Sequence, residues 1–109
     1  MKKLFVIITI LVSYLSGAGY SQAFKLYKSA KKELRKDNKD KSNQLFLEAK
    51  IIFEEEAKKN SSNALLKLAE LYCNGWGVVK DETKAKTYLI KAKRLGVSFI
   101  SDKCLKNLK

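Results

Sequence analysis

Apolar residues recur every three or four positions along nearly all of residues 21–107, and the polar interruptions between these stretches are short. This spacing places apolar side chains on one face of an α-helix, and short joints make successive helices antiparallel neighbours. Proline is absent and only five glycines occur, so little in the chain opposes helix formation. The pattern predicts an all-α fold with helices at about residues 21–36, 43–59, 63–74, 82–95 and 99–107.

The joints between the predicted helices contain residues that suit helix ends. Asp40 or Ser42 is placed to cap the second helix, and Ser61 or Ser62 is placed to cap the third. The loop between the third and fourth helices, residues 75–81, reads GWGVVKD. Its two glycines permit positive φ angles, and its final aspartate can cap the fourth helix.

The sequence also repeats itself. A shift of 36 residues superposes Ala49 on Ala85 and the helix end at Asn60 on that at Gly96, and a period of this length is typical of stacked helical hairpins. Residues 64–96 resemble a Sel1-like repeat, a relative of the tetratricopeptide repeat with a glycine-containing loop between its two helices. The resemblance is carried by Ala64, Leu68, Tyr72, Gly75, Gly77, Val78, Asp81, Lys84, Ala85, Tyr88, Ala92 and Gly96.

The resemblance implies a short α-solenoid of antiparallel helical hairpins that binds another protein. The helical repeat domain is predicted over residues 21–109, with a degenerate repeat at 21–63 that lacks the Gly-x-Gly-Val loop and a terminal capping helix at 97–109. Repeat arrays usually need three or more units for independent stability. A chain with barely two is therefore expected to rely on its first helix as a cap, on a partner, or on a second copy in a homo-oligomer.

The N-terminus has the layout of a secretory signal peptide. Two lysines follow Met1, an apolar run extends from Leu4 to Leu15, and small residues come next. A run of about twelve residues is too short for a membrane-spanning helix, which needs about 20. Residues 1–18 are predicted to be a signal peptide, cleaved after Ala18 or Ala23, so that the mature protein is exported to the periplasm or secreted. An uncleaved N-terminal anchor and a buried core helix are the alternatives.

Two cysteines, Cys73 and Cys104, are present, and an oxidising compartment favours a disulfide between them. In an ideal solenoid with the 36-residue period, Cys104 would lie level with Leu68, about 7.5 Å along the axis from Cys73. A disulfide needs Cα atoms about 4.4–6.8 Å apart. The compartment therefore argues for the bond and the ideal geometry argues against it. Cysteine-rich secreted members of the resembled family carry a cysteine where this chain has Lys93, so their pairing does not transfer.

The formal net charge is +12. Such an excess suits acidic proteins, nucleic acid or anionic lipid. Only two of the 23 basic residues are arginine, the residue favoured for bidentate phosphate recognition, and export would remove most nucleic acid from reach. No nucleic-acid partner is predicted. Membrane contact is expected only through the signal peptide or weak electrostatics, and a basic protein associated with envelope lipid is one alternative function.

The residues needed for catalysis are largely missing. No histidine occurs, which removes the commonest general base and the commonest zinc ligand. Gly-x-Ser-x-Gly, phosphate-loop and dinucleotide motifs are absent. Three consecutive glutamates at 54–56 point in different directions on a helix and are interpreted as a solvated face. No catalytic, metal or cofactor residue is predicted and the chain is not expected to be an enzyme; an enzyme or enzyme modulator akin to the cysteine-rich β-lactamase-like members is the rival.

Trp76 is the predicted contact point for an unidentified partner protein. It lies between two loop glycines, where it is expected to be exposed, and tryptophan is favoured in interfaces. The alternative is a tryptophan folded back onto its own hairpin. A basic surface beside it is predicted at Lys80, Lys84, Lys91 and Arg94.

Overall fold

The computed structural model describes residues 19–108, so the predicted signal peptide at 1–18 lies outside the described residues. The described part is helical, without a strand, which confirms the predicted all-α fold. None of its helices combines the length and the apolar character needed to cross a membrane. The helices are α1 (Gly19–Arg35), α2 (Lys39–Lys58), α3 (Ser62–Asn74), α4 (Glu82–Arg94) and α5 (Lys103–Lys106).

The helices form two hairpins and a short cap. Helix α1 packs along α2, and α3 packs along α4; α2 and α3 join the two hairpins, and α5 rests on α3. This arrangement is the predicted short α-solenoid. The short polar joints explain the pairing, because a joint of a few residues can only return the chain along the preceding helix.

The larger of two apolar clusters belongs to the first hairpin and α3. The positions that α1 contributes are spaced by three and four residues and therefore share one face of the helix. This hairpin, read from the sequence as a degenerate repeat, is thus well packed. The buried members are Ala23, Tyr27, Ala30, Phe46, Ala49, Ile52, Phe53, Ala64, Leu68 and Leu71.

The second cluster lies between α3, α4 and α5. Val78 of the loop contacts both clusters, so the loop side chain fills the space between the two hairpins. Tyr72 and Tyr88 stack with ring centroids 5.9 Å apart and hold α3 against α4. The buried members are Ala69, Tyr72, Cys73, Ala85, Leu89 and Leu105.

Side-chain caps begin three of the described helices, α3, α4 and α5, and the first two were predicted. The Ser61 hydroxyl accepts a hydrogen bond from the Ala64 amide at 3.2 Å, and the Asp81 carboxylate accepts one from the Lys84 amide at 3.0 Å. Before α3, Asn60 adopts a positive φ of 64°, the conformation expected of a residue that ends a helix.

Helix α2 begins earlier than predicted. It starts at Lys39, and the residue before it, Asn38, makes no side-chain capping bond. Neither Asp40 nor Ser42 is the cap, so that prediction was wrong. Ser42 lies inside the helix, fully buried, where its hydroxyl donates a hydrogen bond to the Ala30 carbonyl oxygen at 2.8 Å. The hydroxyl thus joins α2 to α1 through a buried hydrogen bond.

The glycine loop is pressed against α2. Gly75 and Gly77 have φ angles of 69° and 72°, which disfavour any residue with a side chain. A Cβ atom on Gly77 would lie 2.6 Å from the Phe46 Cβ and 3.0 Å from the Leu47 amide nitrogen. The second glycine is therefore required both by its backbone conformation and by close packing.

The C-terminal segment differs most from the prediction. The expected helix at 99–107 is confined to Lys103–Lys106, and Phe99 is 78% exposed. Asp102 begins α5 by accepting a hydrogen bond from the Leu105 amide at 3.0 Å. Because the segment does not continue the ideal solenoid, Cys104 reaches Cys73, and the two are joined by a disulfide with Cα atoms 6.0 Å apart.

Candidate functional site

An open groove of about 800 Å³ lies between α1 and α3 and is bordered by the residues around the start of α5. We call it the α1/α3 groove. Helix α1 supplies one wall, α3 with the start of the loop supplies the other, and residues 101–104 form the rim. The lining residues are Phe24, Tyr27, Lys28, Lys31, Leu34, Arg35, Lys67, Glu70, Asn74, Trp76, Ser101, Asp102, Lys103 and Cys104.

Aromatic rings form the floor of this groove. The Trp76 indole stacks on Phe46 with ring centroids 5.3 Å apart and planes at 9°, and meets Tyr27 edge-on at 6.3 Å. Phe24 extends the row, 6.0 Å from Tyr27. Trp76 is therefore neither the fully exposed loop residue that the sequence suggested nor folded on its own hairpin. It is partly buried against the preceding hairpin, because Gly77 lets the loop approach α2 so closely.

Lysine side chains lie over these rings. The Lys31 ammonium is 5.4 Å from the centroids of both Tyr27 and Trp76, and that of Lys28 is 5.0 Å from Phe24. A cation over an aromatic face gains about 0.5–1 kcal/mol at an exposed site.

Both carboxylates of the groove are engaged inside the protein. Glu70, only 5% exposed, accepts a hydrogen bond from the Tyr27 hydroxyl and pairs with the Lys67 ammonium at 3.0 Å. Asp102 accepts from the Asn74 amide at 3.1 Å with one oxygen and caps α5 with the other. Burial and the Glu70 charge raise the pKa of Tyr27 far above its ordinary value, so that its hydroxyl stays a donor.

Four cations of the groove remain without an ion-pair partner among residues 19–108: Lys28, Lys31, Arg35 and Lys103. Sequence reasoning did not single out any of them. Lys28, Lys31 and Arg35 lie three and four residues apart on α1 and therefore share one face of the helix. This spacing can be read from the sequence, but it is also typical of an ordinary solvent-exposed helix face. Only the tertiary structure shows that α3 and the C-terminal segment lie opposite this face, so that it forms one side of the groove.

The basic residues predicted to lie beside Trp76 do not line the groove. Lys91 and Arg94 line a separate groove of about 470 Å³ between α2 and α4, and Lys80 lies next to Gly75 with its ammonium 3.8 Å from Glu82. The Lys84 ammonium lies 4.7 Å from the Tyr72 ring, and hydrogen bonding to Tyr72 raises its pKa. The prediction of one basic surface around Trp76 is thus corrected: α4 packs on the side of α3 away from α1.

The consecutive glutamates bind neighbouring lysines rather than forming a site. Glu54 pairs with Lys50 at 3.2 Å and Glu55 with Lys58 at 3.1 Å, and Glu56 lies 3.6 Å from Lys59. Nor does the described chain bring three histidine, cysteine, aspartate or glutamate side chains together as a metal site would require.

Comparison with known proteins places the groove between two matched segments. A family model of the Sel1 repeat matches residues 14–33 and 62–97, together just over half of the chain. The first match ends within α1 and starts before the described residues; the second covers α3, the glycine loop and α4. No curated protein and no solved structure matches the chain. Sel1 repeats generally mediate protein–protein interactions and are typically not catalytic. With more than half of its length matched, the chain belongs to the Sel1 repeat family.

Proposed function

We propose that this chain is an exported protein–protein interaction module that holds a segment of a partner protein in the α1/α3 groove and catalyses no reaction. The observation that carries the proposal is the position of Trp76. Phe46 stacks on the indole and Tyr27 meets it edge-on, so the partly buried ring is held in one position in the groove. Rigid, partly buried tryptophans and tyrosines are the residues that contribute most to protein interfaces.

The dimensions of the groove suit a peptide segment. Its α1 wall extends from Phe24 to Arg35, a stretch of twelve residues that spans about 16.5 Å at the rise of an α-helix. An extended chain covers that length in about five residues at 3.3 Å each. The groove is open along one side, which suits a segment that enters and leaves as part of a larger partner.

Two features support export. The N-terminal layout is that of a secretory signal peptide, and the Cys73–Cys104 disulfide suits an oxidising compartment. The proposal of a binding role rests on the groove chemistry: no histidine occurs in the chain, and Glu70 and Asp102 are already hydrogen-bonded inside it. Because both carboxylates of the groove are already occupied by hydrogen bonds within the chain, the groove is better suited to binding than to proton transfer.

The test is site-specific cross-linking in the native cell envelope. A photoreactive phenylalanine replaces Ser101, an exposed residue on the rim of the groove, and in a matched control it replaces Thr83, exposed on α4. The expected result is one protein cross-linked through a defined peptide at Ser101, absent at Thr83 and lost when Trp76→Ala is added. Equal labelling at both positions, or none at Ser101, would contradict the proposal.

A further inference from the structure

We propose that the occupant of the α1/α3 groove is an acidic segment of the partner protein. Its carboxylates pair with Lys28, Lys31, Arg35 and Lys103, and its apolar side chains lie on the aromatic floor. This inference rests on the proposed function, because it assumes that the groove binds a protein segment. It goes beyond that function by naming the kind of segment that the groove binds.

The charge of the groove is uncompensated because its acidic residues are already in use. Glu70 is held by Tyr27 and Lys67, and both oxygens of Asp102 accept hydrogen bonds from the chain itself. No carboxylate of residues 19–108 lies within ion-pair distance of the four remaining cations. The carboxylates of an acidic ligand can therefore form ion pairs with these four cations.

The cations are arranged along the groove rather than in one patch. Lys28, Lys31 and Arg35 are separated by three and four residues, so they share one stripe of α1 that is about 10 Å long. Lys103 lies on the opposite rim. Carboxylates on alternate residues of an extended segment are about 6.6 Å apart, so two or three of them can meet cations along this length.

The other groove lacks these properties. The groove between α2 and α4 includes Glu54, and one of its lysines, Lys58, is already paired with Glu55 at 3.1 Å. Its single aromatic residue, Tyr88, is stacked on Tyr72. Lys91 and Arg94 on that side therefore provide a matched control: the same kind of charge without the aromatic floor.

Trp76 is the only tryptophan of the chain and lies in the α1/α3 groove, so its fluorescence reports on occupancy without a label. The probe is a short peptide of alternating glutamate and leucine, compared with the same peptide carrying glutamine for glutamate. The glutamate peptide is expected to change Trp76 emission in a saturable way. Its affinity should fall by about tenfold between about 50 mM and about 300 mM salt, because salt screens the ion pairs.

Two double variants separate site binding from general attraction to a basic protein. Lys28→Glu with Arg35→Glu alters the groove, and Lys91→Glu with Arg94→Glu makes the same change of net charge on the other side. The groove variant is expected to bind the glutamate peptide more than about tenfold more weakly, and the control variant less than about threefold. Circular dichroism establishes that each is folded; Lys28→Gln with Arg35→Gln is the milder replacement if the reversal does not fold.

Each contrary result has a defined meaning. Equal weakening by both variants, or equal affinity for the glutamine peptide, overturns the acidic segment. An emission change with vesicles of phosphatidylglycerol but not with the glutamate peptide overturns it in favour of a lipid surface. If the Ser101 cross-link still forms in any of these cases, the groove remains a protein-binding site and only its selectivity is wrong. If that cross-link fails too, the proposed function fails with it.

Discussion

The hydroxyl of Tyr27 on α1 donates a hydrogen bond to the buried carboxylate of Glu70 on α3, 43 residues further along the chain. This bond crosses the floor of the α1/α3 groove and connects the two segments that match the family model. Lys67 completes the arrangement through an ion pair with the same carboxylate at 3.0 Å. The relative position of the two groove walls therefore depends on a polar contact inside an apolar cluster.

Replacing Tyr27 by phenylalanine should destabilise the fold by about 1–3 kcal/mol, because a buried charged acceptor loses a donor. Tyr20→Phe is the control: the Tyr20 ring packs on Phe24 and Phe53, and its hydroxyl makes no hydrogen bond with residues 19–108. That control should change the free energy of unfolding by less than about 0.5 kcal/mol. Urea unfolding at neutral pH measures both; equal losses would show that the hydrogen bond is not the cause.

The disulfide should stabilise the protein and hold the rim of the groove. Cys73 and Cys104 are 31 residues apart, and closing a loop of that size contributes about 3–4 kcal/mol in the chain-entropy model. Reduction should therefore lower the melting temperature and speed amide exchange most strongly in residues 97–108, which contact the rest of the protein mainly through α3.

The double variant Cys73→Ala with Cys104→Ala is the control for reduction. It should behave like the reduced protein, and reductant should leave it unchanged. If amide exchange in residues 97–108 is equally slow with and without the bond, the buried Leu105 and the Asp102 hydrogen bonds hold the segment by themselves.

Gly77→Ala should be more harmful than Gly96→Ala by about 1–3 kcal/mol. Both glycines have positive φ angles, 72° and 105°, so both substitutions strain the backbone. Only the Gly77 Cβ would meet α2, at 2.6 Å from the Phe46 Cβ, whereas nothing lies within 4 Å of a Cβ at Gly96. Chemical unfolding of the two variants isolates the cost of the close approach. Losses of the same size would mean that φ strain alone explains the glycines.

The two predicted cleavage sites should differ in the stability of the mature product. A chain that begins after Ala23 lacks Ala23, which is fully buried, and Tyr20, whose ring contacts Phe53 at 5.7 Å. We expect this chain to be less stable than one that begins at Gly19 by about 2–4 kcal/mol, since it loses part of the core. Thermal unfolding compares the two chains, and equal melting temperatures would contradict this expectation. The intact mass of the exported protein shows which chain is made, and a start at Met1 would contradict cleavage itself.

Glu48 should make stability depend on pH. It is 6% exposed, and burial raises its carboxyl pKa. The folded state then binds this proton more tightly than the unfolded state, so the contribution is favourable below the unfolded pKa and is lost as the pH rises through the folded pKa. Glu48→Gln should therefore stabilise the protein at pH 7 relative to the native chain, and less so near pH 4. Glu55→Gln, at an exposed ion pair, should show no such gain.

Helices and their ends were largely predictable because their signals are local. The spacing of apolar residues marked α1 to α4, whereas it predicted α5 too long. Ser61 and Asp81 cap α3 and α4 through atoms three residues away. The family resemblance was equally accessible, because its glycines, alanines and tyrosines recur at a fixed spacing. Where these signals were ambiguous, as at Ser42, the deciding contact came from another helix.

What the sequence by itself determined is the all-α class, the hairpin order, the glycine loop and the membership of the family, since each follows from residues close together in the chain. Only the tertiary structure decided where Trp76 lies, that α1 rather than α4 supplies the cations beside it, and that Cys104 reaches Cys73. Those outcomes depend on contacts between residues 30 or more positions apart. Such contacts depend on how the two hairpins pack against each other, and the spacing of neighbouring residues along the chain does not determine that packing.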